Sequence, residues 1–150
     1  MLSKSSEEYL KNIYLIKQQN GNVRITDIAN KMKCTKPSVN KAIYILRDNL
    51  MVTYEPYGEI QLTKQGENYA QKIIAAYDIV YLFLTELLGI DKELAHEQAE
   101  KMKVSMSDNT LNKLAKYVHI QLNIGDPNCA YDLNKEACRA CEAEKIKKLV

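Results

Sequence analysis

Apolar residues in the first third of the chain recur at helical spacing. Leu10, Ile13 and Ile16, with Tyr9 beside them, form a stripe running to about Gln19. Ser5 and Glu8 have the spacing of a capping box at its start. Asn20-Gly21-Asn22 ends this helix, Gly21 being suited to a left-handed stop. A second helix is expected from a Thr26 cap, with Ile28, Ala29 and Met32 on its buried side, until Cys34-Thr35 breaks it. Thr35 caps a third helix with Pro37 in its first turn, where the missing N–H costs little. Val39, Ile43 and Leu46 point inward and leave Ser38, Lys41 and Tyr44 on the other side.

After Asn49 the period changes. Residues 51–54 and 60–63 are short strand-like runs around Glu55-Pro56-Tyr57-Gly58-Glu59, which is a hairpin signal. Thr63 caps a long helical segment from Lys64 towards Leu88, stopped by Gly89. Asp91 caps a helix to about Lys103, and Ser107 caps another to about His119. Gly125-Asp126-Pro127-Asn128 reads as a loop, and Asn134 opens a last helix through Leu149. The pattern predicts a mainly α protein: an N-terminal winged helix-turn-helix over residues 1–72, then a helical dimerisation domain, a candidate metal sensor, over 73–150.

Composition narrows the classes. With 46% hydrophobic residues in 150, too much apolar surface is available for a disordered chain. Five glycines and three prolines argue against a large β-protein. The longest apolar run, Ile73 to Leu84, is interrupted by Asp78 and falls short of the ~20 residues that cross a bilayer. No charged-then-apolar leader opens the chain, so a cytoplasmic protein without a membrane partner is expected. Neither a nucleophile–base pair, a phosphate-cradling glycine loop nor an inward carboxylate pair stands out, so no enzyme is expected.

The net charge of +2 hides an asymmetry. From Arg24 to Arg47, six cations (Arg24, Lys31, Lys33, Lys36, Lys41, Arg47) face one anion, Asp27. This segment is the helix-turn-helix itself. A short turn sets two helices roughly perpendicular, so that the second can enter the ~12 Å major groove of double-stranded DNA. Thr35, Lys36, Pro37, Ser38 and Lys41 lie at or near the start of that reading helix. Arg24 and Arg47 flank the element and suit phosphates, and Tyr57 is the wing residue placed nearest the backbone. Ile79, Val80, Leu82 and Phe83 make the long helix apolar on many sides, which argues for a partner surface.

At the level of motifs the chain resembles the diphtheria-toxin-repressor and manganese-transport-regulator family. The resemblance rests on Ser6-Glu7-Glu8-Tyr9-Leu10-Lys11-Asn12-Ile13-Tyr14, on Ile25-Thr26-Asp27-Ile28-Ala29, on Lys36-Pro37-Ser38-Val39 and on Leu62-Thr63-Lys64-Gln65-Gly66. Leu87-Leu88-Gly89-Ile90, His96-Glu97-Gln98-Ala99-Glu100 and Met106-Ser107-Asp108 extend it over about the first 120 residues. It implies a homodimeric transcription regulator, a repressor, that binds a palindromic operator when a divalent metal (Mn or Fe) is present.

The metal ligands implied by that resemblance transfer poorly. The first-helix ligand falls on Glu8, but its acidic companion falls on Lys11. The histidine of the connecting helix falls on Tyr77. Glu100 takes the first ligand position of the next helix, but the Glu-His pair after it becomes Lys103-Val104, and of an accessory site only His96 is left. Divalent manganese or iron wants several converging oxygen and imidazole donors. Glu8 with Lys11, and Glu100 with Lys103, are i, i+3 pairs instead. Either lysine charge stands in for the metal, bridging the first helix and the dimerisation domain, or these are plain helical ion pairs contributing ~0.2–0.5 kcal/mol each.

The cysteines offer another reading. Cys138 and Cys141 are i, i+3 near the start of the last helix, and Cys129 precedes them in the loop. Three thiolates so placed suit zinc or an iron–sulfur cluster, with a fourth ligand from His119, an Asp or the dimer partner. The alternative function is then a metal- or cluster-binding sensor or redox protein with the winged helix as a remnant. The bland alternative is ordinary buried thiols, as expected for Cys34.

Overall fold

The computed structural model describes residues 2–149 and divides into two compact units, Met1–Ile73 and Ile74–Val150.

The first unit opens with α1 (Lys4–Asn20), which buries Leu10, Ile13 and Ile16 as the stripe predicts. Its cap is Ser3 rather than Ser5: the Ser3 hydroxyl accepts from the Ser6 N–H at 3.1 Å, and Ser6 is buried one turn in. Gly21 closes the helix at φ +80°. The short α2 (Ile25–Met32) starts at Arg24, whose N–H donates to the Asp27 carboxylate at 2.8 Å, so Thr26 lies inside the helix and is not its cap. Lys33 ends it in the left-handed conformation. After this turn Thr35 caps α3 (Lys36–Asp48), with Pro37 in the first turn and Val39, Ala42, Ile43 and Leu46 buried.

Strands β1 (Val52–Tyr54) and β2 (Ile60–Leu62) pair antiparallel with Thr53 opposite Gln61. Ile60 also donates its N–H to Val23 O at 2.9 Å, tying the hairpin to the segment before α2. One cluster built from Leu10, Ile13, Ile28, Val39, Ile43, Leu46, Val52, Ile60 and Ala70 closes this unit. Burying each large apolar side chain contributes about 1.5–3 kcal/mol.

The helix α4 (Lys64–Leu82) starts at a tight junction. The Thr63 hydroxyl is within 2.6 Å of Leu50 O and 3.0 Å of Met51 O, and accepts from the Gly66 N–H at 2.9 Å. Gly66 lies so close to Met51 that a Cβ there would be 1.9 Å from the Met51 carbonyl oxygen. Only glycine fits this position.

In the second unit the long helical segment runs to about its predicted end but changes pitch on the way. From Phe83 to Leu87 the backbone widens into a π-helical turn, with Leu88 N–H donating to Phe83 O at 3.1 Å. Thr85 donates its hydroxyl back to Tyr81 O at 2.9 Å, an arrangement that bends helices. Gly89 follows at φ +69°. Then come α5 (Lys92–Ser105), capped by Asp91, α6 (Asp108–Gln121), capped by Ser107, and α7 (Glu136–Leu149). Asn134 sits before α7 rather than in it, its amide within 3.3 Å of both Asp108 and Asp132.

The core of this unit joins Ala76, Ile79, Val80 and Leu84 to Ala95, Ala99, Leu111, Ala115, Tyr131 and Leu133. Ile79, Val80 and Leu82 are thus already covered within the chain, and their apolar character does not by itself require a partner subunit. Among the described residues no helix is long and apolar enough to cross a membrane.

Candidate nucleic-acid interface

The first two turns of α3 stand out from the first unit. Thr35, Lys36, Pro37, Ser38 and Lys41 are all exposed, whereas Val39, Ala42 and Ile43 between them are buried. This is the amphipathic arrangement a reading helix needs: one face locked in the core, the other offered to the duplex. Lys36 and Lys41 have no ion-pair partner among the described residues, so both charges remain open to an anion. Thr35 and Ser38 are partly committed to the fold. Their hydroxyls are 2.8 Å apart, and the Ser38 N–H donates to Thr35 at 3.4 Å.

Arg24, Lys36, Pro37, Asn40, Tyr54 and Tyr57 line an open groove of about 590 Å³ between the starts of α2 and α3 and the hairpin. The groove brings four of the sequence-predicted residues together. Tyr57 is fully exposed and holds φ +63°, a conformation rare for a bulky residue, at the tip of the wing. Arg47 lies at the far end of α3. Its guanidinium is 4.7 Å from the Tyr44 ring centroid and 3.2 Å from Asp48, which partly neutralises it. Asn40 and Tyr54 are among the groove residues that sequence reasoning passed over. Asn40 follows Lys36 by four residues, so helical spacing alone puts it on the same face.

The carboxylate and imidazole candidates for a metal are engaged elsewhere. Glu8 pairs with Lys11 at 2.8 Å in the first unit. In the second, Glu100 pairs with the buried Lys103 at 2.8 Å, and exposed His96 has its Nδ1 2.6 Å from the Tyr77 hydroxyl. Cys129 and Cys141 are exposed and Cys138 is half-buried, and all are free thiols. Among the described residues no three of His, Cys, Asp and Glu gather as a metal would require. The residues present therefore do not fit a divalent ion. Cys34 is half-buried, with the Tyr9 hydroxyl 3.7 Å from its sulfur.

What the second unit does hold is a buried polar network. Glu142 on α7 accepts from Tyr131 at 2.6 Å and lies 3.0 Å from His119 Nε2. Burial, then the Glu142 charge, pushes the Tyr131 phenol well above its ordinary range, which keeps its proton in place to donate. Buried Arg139 donates to Leu133 O at 2.9 Å. Nearby, burial and then the Glu142 charge push the Asp78 carboxyl up to about 7, against the pull of Lys103. Nothing in the sequence pattern singled out Glu142, because one glutamate in a helix with several charged residues reads as surface.

Fold and exposed basic face together define a winged helix-turn-helix protein. Comparison with known proteins makes the class specific. Residues 1–60 match the family model described as the N-terminal DNA-binding domain of iron-dependent repressors, and residues 63–120 match that described as their metal-binding and dimerisation domain. A helix-turn-helix transcriptional regulator of Methanocaldococcus jannaschii is 36% identical over 114 residues, 75% of this chain and 91% of that protein. The regulator MntR of Bacillus subtilis is 25% identical over 118 residues, 79% of this chain and 82% of its own.

Among solved structures, the manganese regulator SloR superposes with a TM-score of 0.65 at 26% identity, over 76% of this chain. The chain spans only 53% of the length of that structure. A Sulfolobus solfataricus protein, SSo2273, shares the fold at TM-score 0.63 and 24% identity, over 78% of this chain and 89% of its own. The chain belongs to the iron-dependent repressor family of helix-turn-helix transcription regulators. Nothing in these relatives carries the iron–sulfur or redox reading of the cysteines.

Proposed function

We propose that this chain is a homodimeric, cytoplasmic repressor that binds double-stranded operator DNA, with residues 1–72 reading the duplex and 73–150 forming the dimer. The observation that carries the reading is the exposed basic face of α3, where Lys36 and Lys41, without an ion-pair partner among the described residues, flank Pro37 next to a groove that Arg24 and Tyr57 help line. Lys36 and Lys41 supply phosphate attraction and reach to base edges. Arg24 and Tyr57 serve the flanking backbone, while Thr35 and Ser38 hold the helix start in shape and offer their hydroxyls alongside. Arg47, drawn to Tyr44 and Asp48, contributes a weaker phosphate contact. The family supports regulation of transcription rather than catalysis as the activity of this chain.

Selection from a random duplex pool tests the proposal. The expected product is an inverted repeat whose half-sites lie about 10 base pairs apart, centre to centre, or a multiple of that spacing. A pool that shows no enriched sequence after repeated rounds would remove the operator-binding reading.

A further inference from the structure

The segment matched to a metal-binding domain, residues 63–120, contains a cation of its own. Lys103 lies on α5 with its side chain only 7% exposed, a level that lysines rarely reach unless compensated. Two groups compensate it. The Glu100 carboxylate is 2.8 Å from its ammonium and is itself largely covered. The Tyr77 ring centroid is 5.7 Å away, within the range at which an aromatic face attracts a cation. Tyr77 is held in turn, stacked on Tyr81 at 5.5 Å and with its hydroxyl 2.6 Å from His96. The ammonium thus sits between the Glu100 carboxylate and the Tyr77 ring.

A divalent ion approaching Glu100 would meet this ammonium on the same carboxylate and, among the described residues, would find no group of three donors to repay dehydration. We propose that Lys103 is the resident cation of this domain, so that the chain binds its operator without a divalent metal. The inference rests on the operator-binding reading above for its DNA arm, but not for its metal arm. Lys103 acts here as a positioning residue: its ammonium, paired with Glu100 on its own helix, holds α5 against the Tyr77 segment of α4 through the ring.

The test uses the full chain, dialysed against EDTA, and the duplex recovered by selection. Chelation, or later addition of manganese or ferrous ion, is expected to change operator affinity by less than about twofold, against the roughly 5–150-fold of an effector-coupled site. The variant Lys103→Met is expected to weaken binding at least about fivefold while the chain stays folded by circular dichroism, and Lys103→Arg to keep binding near wild type. In parallel, calorimetric titration with manganese alone is expected to show no stoichiometric uptake. Loss of binding in EDTA that manganese restores, stoichiometric manganese uptake, or a Lys103→Met variant that binds like wild type each overturns the inference. Should no duplex bind in any arm, the regulator reading has failed, and the manganese titration still decides whether the site takes a metal.

Discussion

Replacing Gly66 by alanine is expected to destabilise the winged-helix unit by at least about 3 kcal/mol, the upper end of the usual cost of overpacking. One added carbon would sit 1.9 Å from the Met51 carbonyl oxygen and 2.8 Å from its carbon, both backbone atoms that no rotamer change can move aside. Relief requires α4 to shift away from the end of α3 and the start of β1, and with it the Thr63 hydroxyl that bridges Leu50, Met51 and Gly66. At this chain length the loss corresponds to a fall in melting temperature of roughly 6–12 °C. Gln65→Ala, one residue earlier and exposed, is the control and should stay within about 0.5 kcal/mol of wild type. Equal melting temperatures for the two variants would show that the junction is far looser than the distances state.

Glu142→Ala should have a comparable effect on the other unit. Glu142 is 2% exposed and serves two buried groups, the Tyr131 hydroxyl and the His119 ring. Its removal leaves each without its acceptor at about 1–3 kcal/mol apiece, and opens a cavity beneath α7. The expected result is rapid amide exchange throughout residues 136–149, with α1 to α3 still protected because they close their own core. Unchanged protection of α7 would mean that Leu133 and its apolar neighbours hold the tail without the polar network.

Most of the architecture was legible because local signals agreed with the global fold. The stripe Leu10, Ile13, Ile16, the Thr35 cap with Pro37 behind it, and the hairpin around Pro56 and Tyr57 each appear where residue type and period put them. Capping was harder to place. Ser3, Ser5 and Ser6 are chemically equivalent as caps, and it is the Ser3 hydroxyl that accepts the Ser6 N–H. The π-helical turn at Phe83–Leu87 was invisible because apolar spacing signals a helix but not which carbonyl each N–H chooses.

For the interface, charge and turn chemistry led to Lys36, Lys41 and Arg24 but missed Asn40 and Tyr54, whose relevance comes from lining the same groove. The polar network of His119, Tyr131 and Glu142 was not legible at all. Its members are separated by 11 and 23 residues and only packing brings them together. The same reason explains the cysteines, which share a stretch of sequence without gathering in space.

The account stands on the basic face of α3, and the salt dependence of DNA binding measures it most directly. Fluorescence anisotropy of the selected duplex, titrated with wild type and with the Lys36→Ala, Lys41→Ala double variant over a range of salt concentrations, gives the slope of log affinity against log salt. If both lysines neutralise phosphates, the variant binds more weakly at every salt concentration, its slope is shallower by about two units, and its melting temperature is unchanged. A folded double variant with the affinity and slope of wild type would place the DNA contact somewhere other than α3.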